Sequence, residues 1–256
     1  MKVLSSFKPG EDSVTLFNQW LSYYRKAGIL EFHIIVTPNP EESDGSEVYE
    51  LLRGSPDIVS LELTEPVKQE QDRVDLYSKY KREKMNDCRM VFAVDADEFV
   101  AYPGEIYERA CSKNFDYVRG RLNDRFAFDG ETKEISSEKD IFAQFPLCSD
   151  FSWDALGALQ SKTPLSKPSV AYGIGLHKIL EPDRWSKPSW EVMVHHFKWT
   201  AGIIQKIRNR MAQAQDDSQF FPDKYRKECE WFLENHVIDE GTIDLSEIDT
   251  WYQPHP

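Results

Sequence analysis

Between Arg89 and Tyr102 the chain reads RMVFAVDADEFVAY. The apolar run Met90–Val94 has the length and composition of a short strand buried on both faces. It stops abruptly at three acids, Asp95, Asp97 and Glu98, before Phe99 and Val100 resume the apolar character. Clustered carboxylates repel one another, and burying them is costly unless something positive sits between them. A divalent cation is the natural partner. Asp95 and Asp97 are two apart, so on extended backbone both point to one side, within reach of one Mg²⁺ or Mn²⁺. A bare D-x-D is common in acidic chains, whereas D-x-D-E-F closing an apolar strand is a much sharper signal. The carboxyl end of a core strand is also where open α/β sheets bind ligands.

Upstream, strands and helices alternate. Lys2–Phe7 is predicted as a strand ended by Pro9-Gly10, and Asp12 or Ser13 caps a helix. The apolar face of that helix is Phe17, Trp20, Leu21 and Tyr24, spaced i, i+3, i+4, i+7, and Gly28 stops it. Phe32–Val36 is a second strand, 38–45 a polar loop, Glu47–Leu52 a short helix and Ile58–Leu63 a third strand. A longer helix, Gln69–Asn86, carries Val74, Tyr77 and Tyr80 or Lys81 along one stripe. This order predicts an α/β fold, a mainly parallel central sheet flanked by helices. The strand ends at Phe7–Glu11, Thr37–Asn39, Thr64–Glu65 and Asp95–Glu98 then share one edge, the expected site.

Downstream the pattern loosens. Glu105–Cys111 reads as a helix, and Tyr117–Phe128 as a strand running into a turn at Asp129-Gly130. Residues 131–170 are rich in Ser, Lys and Pro and read as pocket-shaping loop. Val170–Leu180 and Trp190–Phe197 are expected strands, and Ala201–Gln215 and Lys224–Asn235 expected helices. The predicted organisation is one domain over 1–215, dividing near 102, then a C-terminal helix and an acidic aromatic tail over 216–256.

The 256 residues suffice for a full core, and the 40% apolar and 29% charged composition is that of a folded globular chain. No apolar window approaches the roughly 18 residues of a membrane span. The start, MKVLSSFKPGED, turns polar too soon for a secretory signal, so the cytoplasm is the expected setting. A net charge of −13 argues against sequence-independent nucleic-acid binding, which needs a basic face. The four cysteines show no C-x-x-C and no zinc spacing.

The chain resembles glycosyltransferases of the GT-A fold, most closely the bacterial family 2-like group. The likeness is carried in order by QWLSYYRKAGILEFHIIV, VFAVDADEFV, GRLNDRFAFDG followed by DIFAQFPL, and VHHFKWTAGIIQKIRNRM. The family's Asn-Glu after the first strand is replaced here by Pro9-Gly10-Glu11-Asp12. The resemblance implies a nucleotide-binding half over about 1–102 and an acceptor and metal half over about 103–215. It implies a metal-dependent enzyme moving a sugar from a nucleotide-sugar donor to a hydroxyl of a glycan or glycolipid acceptor. It further implies inversion of configuration and a place in bacterial surface polysaccharide synthesis, with peripheral membrane contact an open alternative. Mn²⁺ or Mg²⁺ would be the cofactor, held by Asp95, Asp97 and His196, with Asp95 nearer the ribose or a metal-bound water.

His195 and His196 alternate along a strand, so at most one faces a cation. Lys198, Lys206, Arg208 and Arg210 could clamp a diphosphate, Lys206 and Arg210 sharing a helix face. His177, in YGIGLHKIL, is a candidate contact to a sugar. Phe7, Lys8, Glu11, Thr37 and Asn39 fall where the family binds base and ribose, and Gln71 and Arg73 where phosphates or sugar would lie. Asp124 is a candidate general base or acceptor ligand unless Arg125 makes it a structural ion pair; Asp154 in FSWDALG is its rival. Two other readings stand beside this one. A Mg²⁺-dependent nucleotidyltransferase would want a Gly-rich basic loop after the first strand. A non-catalytic nucleotide-sugar or glycan-binding subunit would keep the pocket and lack a base.

Overall fold

Strand β1 (Lys2–Phe7) lies between two parallel neighbours, β2 (Glu31–Val36) and β4 (Val91–Ala93), in the computed structural model. That model describes residues 1–9, 12–38, 46–65, 70–152, 159–216 and 223–253. The chain forms two compact units, Met1–Arg121 with Ser161–Val194, and Leu122–Gln160 with His195–Pro256.

In the first unit the strand order is β6-β8-β4-β1-β2-β3, where β3 is Ile58–Leu63, β8 is Ser161–Ser166 and β6 (Tyr117–Phe126) enters with its first half. The four strands from β3 to β4 are parallel; β8 pairs antiparallel with β4 and with β6. The central strands β1, β2 and β4 are buried on both faces, as parallel strands between helices are, whereas the edge strand β3 is only partly buried. Helix α1 (Val14–Lys26), capped by the Ser13 hydroxyl, brings Phe17, Trp20 and Tyr24 against Phe7, Phe32 and Phe92. Helix α3 (Glu70–Lys84) buries Val74, Tyr77 and Tyr80 in one cluster with Leu4, Ile35, Val91 and Ala93. Alternation along each strand divides its side chains between these two helices. The short helix α2 (Ser46–Arg53) lies between β2 and β3 in sequence, and α4 (Pro103–Ser112) follows the acidic stretch.

Every expected strand and helix up to Leu63 is present, and the α/β architecture with parallel central strands is the observed one. Three expectations change. The acidic stretch is a turn between β4 and a second short strand, β5 (Glu98–Val100), which pairs with β9 (Val192–His196). Val170–Leu180 is not a strand: Tyr172 and Ile179 form one antiparallel bridge, and Ile174–Leu176 make a 3-10 turn between them. Gly175 (φ 63°) and Leu176 (φ 59°) enter the left-handed region, which interrupts an extended run. The loop-rich 131–170 stretch contains β7 (Leu147–Ser149), the short helix α5 (Ile141–Gln144) and β8, whose sequence SKTPLS shows no alternation.

The second unit is built on the far half of β6, which pairs with β7; β7 in turn pairs with β12 (Trp251–Tyr252). Its core joins Phe126, Phe151 and Trp199 to Ile203, Ile204 and Ile207 of α6 (Ile203–Asp216). Cys229 and Phe232 of α7 (Asp223–Asn235) complete it, with Ile243 of the hairpin β10 (Val237–Asp239)–β11 (Thr242–Ile243). Among the described residues, no helix is long and apolar enough to cross a membrane.

His33 on β2 is 5% exposed and meets the Tyr80 hydroxyl through Nδ1 at 3.1 Å. Burial, aided by the Lys2 charge, lowers its pKa to about 4 from an ordinary 6.5. The unfolded chain takes up that proton below pH 6.5 and the folded chain does not until about pH 4. Stability from this residue is therefore complete above that window and is lost as pH falls through it. Urea unfolding should show a loss of about 2 kcal/mol from this group between pH 8 and pH 5. His33→Gln should flatten the curve over that range.

Candidate functional site

The predicted edge is present in the first unit. Thr37 N–H donates to the Phe7 carbonyl at 2.9 Å, Thr64 N–H to Val36 at 3.0 Å and Val94 N–H to Leu4 at 3.2 Å. The carboxyl ends of β1, β2, β3 and β4 thus lie in sequence along one side. Phe7 and Thr37, 0% and 3% exposed, are core side chains there, so a ligand would meet their backbone. The β1–α1 connection is closed reciprocally: Lys8 N–H donates to the Asp12 carboxylate at 2.6 Å, and Asp12 N–H to the Lys8 carbonyl at 2.8 Å. Glu11 and Asn39 lie outside the described residues, as does the side chain of Gln71.

At this edge the three acids are sorted by their surroundings. Asp95 receives Arg73 Nη1 on Oδ1 at 2.5 Å and Lys162 Nζ on Oδ2 at 2.8 Å. Burial by itself would raise its pKa, but these two cations outweigh burial and hold it well below the usual carboxylate range. Glu98 is 2% exposed; its Oε1 meets Lys162 Nζ at 2.8 Å and its Oε2 accepts from Asp95 N–H at 3.3 Å. Glu98 N–H returns to the Asp95 carbonyl at 3.1 Å, closing the turn. Asp97, half-buried, lies between them in sequence, with a carboxylate oxygen within 4.8 Å of one of Glu98.

Helix α1 braces this turn. Trp20 Nε1–H donates to the Glu98 carbonyl at 3.1 Å, and so does the Tyr24 hydroxyl at 3.3 Å. The same Tyr24 oxygen accepts from Val100 N–H at 3.0 Å, and the Tyr23 hydroxyl donates to the Val100 carbonyl at 2.7 Å. A strand of three residues is thereby fixed by Trp20 and Tyr24, which periodicity had marked only as an apolar helix face, and by Tyr23, which lies outside that stripe. Lys162, the residue that joins the acids, carried no sequence signal: it sits on β8, inside the stretch that read as loop. Its third contact is the Gly175 carbonyl at 2.9 Å. This brings the loop of His177 to the same cluster. His177 Nδ1 lies 2.5 Å from the Ser161 carbonyl, so that nitrogen carries the proton.

The second unit holds the other predicted group. His196 Nδ1 lies 3.0 Å from Asp124 Oδ1. A carboxylate can only accept, so Nδ1 carries a proton, and in the neutral ring this leaves the lone pair on Nε2, the form in which imidazole ligates. Asp124 is 2% exposed, and its other oxygen accepts from Ser152 N–H at 2.6 Å. Burial opposes its charge, but His196, Lys198 and the Ser152 contact prevail and lower its pKa. His195 has the opposite tautomer. Arg125 Nε–H donates to its Nδ1 at 3.1 Å, committing the lone pair there. Arg125 therefore pairs with His195 and with the carbonyls of Phe145, Pro146 and Gln253. Lys198 lies over the Trp199 ring at 5.1 Å, and Lys206 is half-buried on α6. Arg208 pairs with Glu240. The side chain of Arg210 and all of Asp154 lie outside the described residues.

No family model and no curated protein matches the chain. Among solved structures it is similar to S. aureus TarS, with 11% identity over 84% of this chain and 39% of that one, at a TM-score of 0.40. It is also similar to HddC from Yersinia pseudotuberculosis, with 7% identity over 90% of this chain and 98% of that one, at 0.37. For TarS 1-349 the figures are 10%, 88%, 67% and 0.36. The chain thus spans well under half of the longer TarS chain.

Tyr24→Phe should lower stability by about 1–3 kcal/mol, because Val100 N–H loses its partner in a buried position; denaturant titration at neutral pH reads it. At Gly175 an added Cβ would stand 2.4 Å from His177 Cδ2, on backbone in the left-handed region. Gly175→Ala should cost about 1–3 kcal/mol, visible in the same titration.

Proposed function

We propose that the protein is a metal-dependent glycosyltransferase that moves a sugar from a nucleotide donor to a hydroxyl of a glycan or related acceptor. The observation that carries this reading is the acidic turn at the carboxyl edge of four parallel strands. The turn is held by Arg73 and Lys162 on the Asp95 carboxylate and by Trp20 and Tyr24 on the Glu98 carbonyl. Ligands of open α/β sheets bind at that edge. The Asp97 carboxylate is a hard oxygen donor, suited to Mg²⁺ or Mn²⁺. Among the acids, Asp97 is the direct ligand in this reading. His196 is proposed to ligate through Nε2, the tautomer that its bond to Asp124 selects.

A divalent cation would supply neutralisation of the diphosphate that leaves the donor. The residues do the rest. Arg73, 8% exposed, keeps its guanidinium on Asp95 and is held rigid toward the donor's phosphates or sugar. The acceptor hydroxyl attacks the anomeric carbon, the bond to the diphosphate oxygen breaks, and the hydroxyl proton passes to a carboxylate. With both oxygens of Asp124 engaged, Asp124 is the group that orients His196, and the base role falls to Asp154. Lys198, Lys206 and Arg210 are kept as diphosphate contacts and His177 as a sugar contact. Inversion at the anomeric carbon, a cytoplasmic setting and a role in surface polysaccharide assembly belong to the same proposal.

Thermal unfolding with UDP, GDP, CMP and dTDP, each with Mn²⁺, Mg²⁺ or EDTA, tests the donor site. One nucleotide should stabilise the protein by about 2.7 kcal/mol at 100 times its Kd. The shift should need the metal, vanish in Asp97→Ala and weaken in His196→Ala. No response to any nucleotide would overturn the reading.

A further inference from the structure

Lys162 is 4% exposed, and its ammonium has three protons and three oxygen partners: Asp95 Oδ2 at 2.8 Å, Glu98 Oε1 at 2.8 Å and the Gly175 carbonyl at 2.9 Å. Each proton has an acceptor, so the amine stays charged although it is buried. Two carboxylates and a carbonyl converging on one buried point are also the oxygen set that a hard divalent cation would take. The amine stands at that point. Arg73 occupies the remaining Asp95 oxygen, and Asp95 N–H bonds the remaining Glu98 oxygen.

We propose that Lys162 is a positioning residue that serves as the built-in cation of the acidic turn, neutralising Asp95 and Glu98 so that a divalent metal is taken on Asp97 and not on that pair. The proposal rests on the donor-site reading only in saying which acid is left for the metal. Two consequences follow from the charge. A site with few protein carboxylates holds Mg²⁺ or Mn²⁺ weakly and completes its shell with substrate phosphates, so the metal enters with the diphosphate. The same ammonium ties the loop of Gly175 and His177 to the turn, so the loop stays ordered without metal.

The test uses Mn²⁺ alone, with no nucleotide, and is run in an Asp97→Asn background, which removes the metal ligand of the donor-site reading. Asp97→Asn by itself should show no Mn²⁺-dependent change in Tm. Adding Lys162→Met should create a site between Asp95 and Glu98. Tm should then rise by a few degrees once Mn²⁺ is about tenfold above its Kd. Adding Glu98→Gln as well should abolish the gain. A Lys162→Met protein that folds only when Mn²⁺ is present is the same result in stronger form. A folded variant that ignores Mn²⁺ would overturn the proposal. For a variant that fails to fold under either condition, isothermal titration of Mn²⁺ into Glu98→Gln in the presence of the bound nucleotide decides. Affinity close to wild type is expected, and a loss as large as that of Asp97→Ala would overturn the assignment. Failure of every nucleotide to bind the wild type would remove the donor site while the Mn²⁺ response of Lys162→Met is read separately.

Discussion

Asp95 and Glu98 are three residues apart and both largely withdrawn from water, and the same ammonium bonds each of them at 2.8 Å. Without Lys162 the turn between β4 and β5 would hold two like charges in a medium that screens them poorly. With it, the turn closes on itself through reciprocal backbone and side-chain bonds. The surrounding architecture is arranged to keep that geometry. Arg73 comes from the helix on one face of the sheet, Trp20 and Tyr24 from the helix on the other, and Lys162 from the antiparallel neighbour of β4.

The cost of this arrangement is local rigidity around a strand only three residues long. A strand that short is weak by itself. Here the Glu98 and Val100 carbonyls and the Val100 N–H are taken by Trp20, Tyr23 and Tyr24, and the rings of Trp20 and Tyr24 also form the core. Tyr24 is the clearest case, since its oxygen both donates and accepts across β5 while its ring packs on Trp20. Packing and site geometry thus depend on the same side chains.

In the second unit, two adjacent histidines are given opposite tautomers by opposite partners. A guanidinium can only donate, so it takes the Nδ1 lone pair of His195; a carboxylate can only accept, so it places the proton on Nδ1 of His196. Adjacent identical residues acquire different chemistry from one strand's alternation and one neighbour each. Asp124 and Arg125, themselves adjacent on β6, supply those two neighbours.

Period and punctuation settled much of this protein. The apolar spacing of Phe17, Trp20, Leu21 and Tyr24, the Ser13 cap and the alternating strands up to Ile58–Leu63 are local properties, and local properties are written in consecutive residues. The acids Asp95, Asp97 and Glu98 at the end of an apolar strand were equally legible, and so was the edge where they lie. What could not be read was which acid receives which cation. Lys162 is 67 residues from Asp95, on a strand whose Pro164 and small polar residues disguise it as loop. Val170–Leu180 looked extended because the positive φ of Gly175 and Leu176 leaves no periodic trace. The division of surroundings among like residues, half-buried Asp97 against lysine-bound Asp95 and Glu98, or His196 against His195, belongs to tertiary structure. It is set by long-range pairing of charges in a low-dielectric interior, and no spacing rule along the chain encodes that.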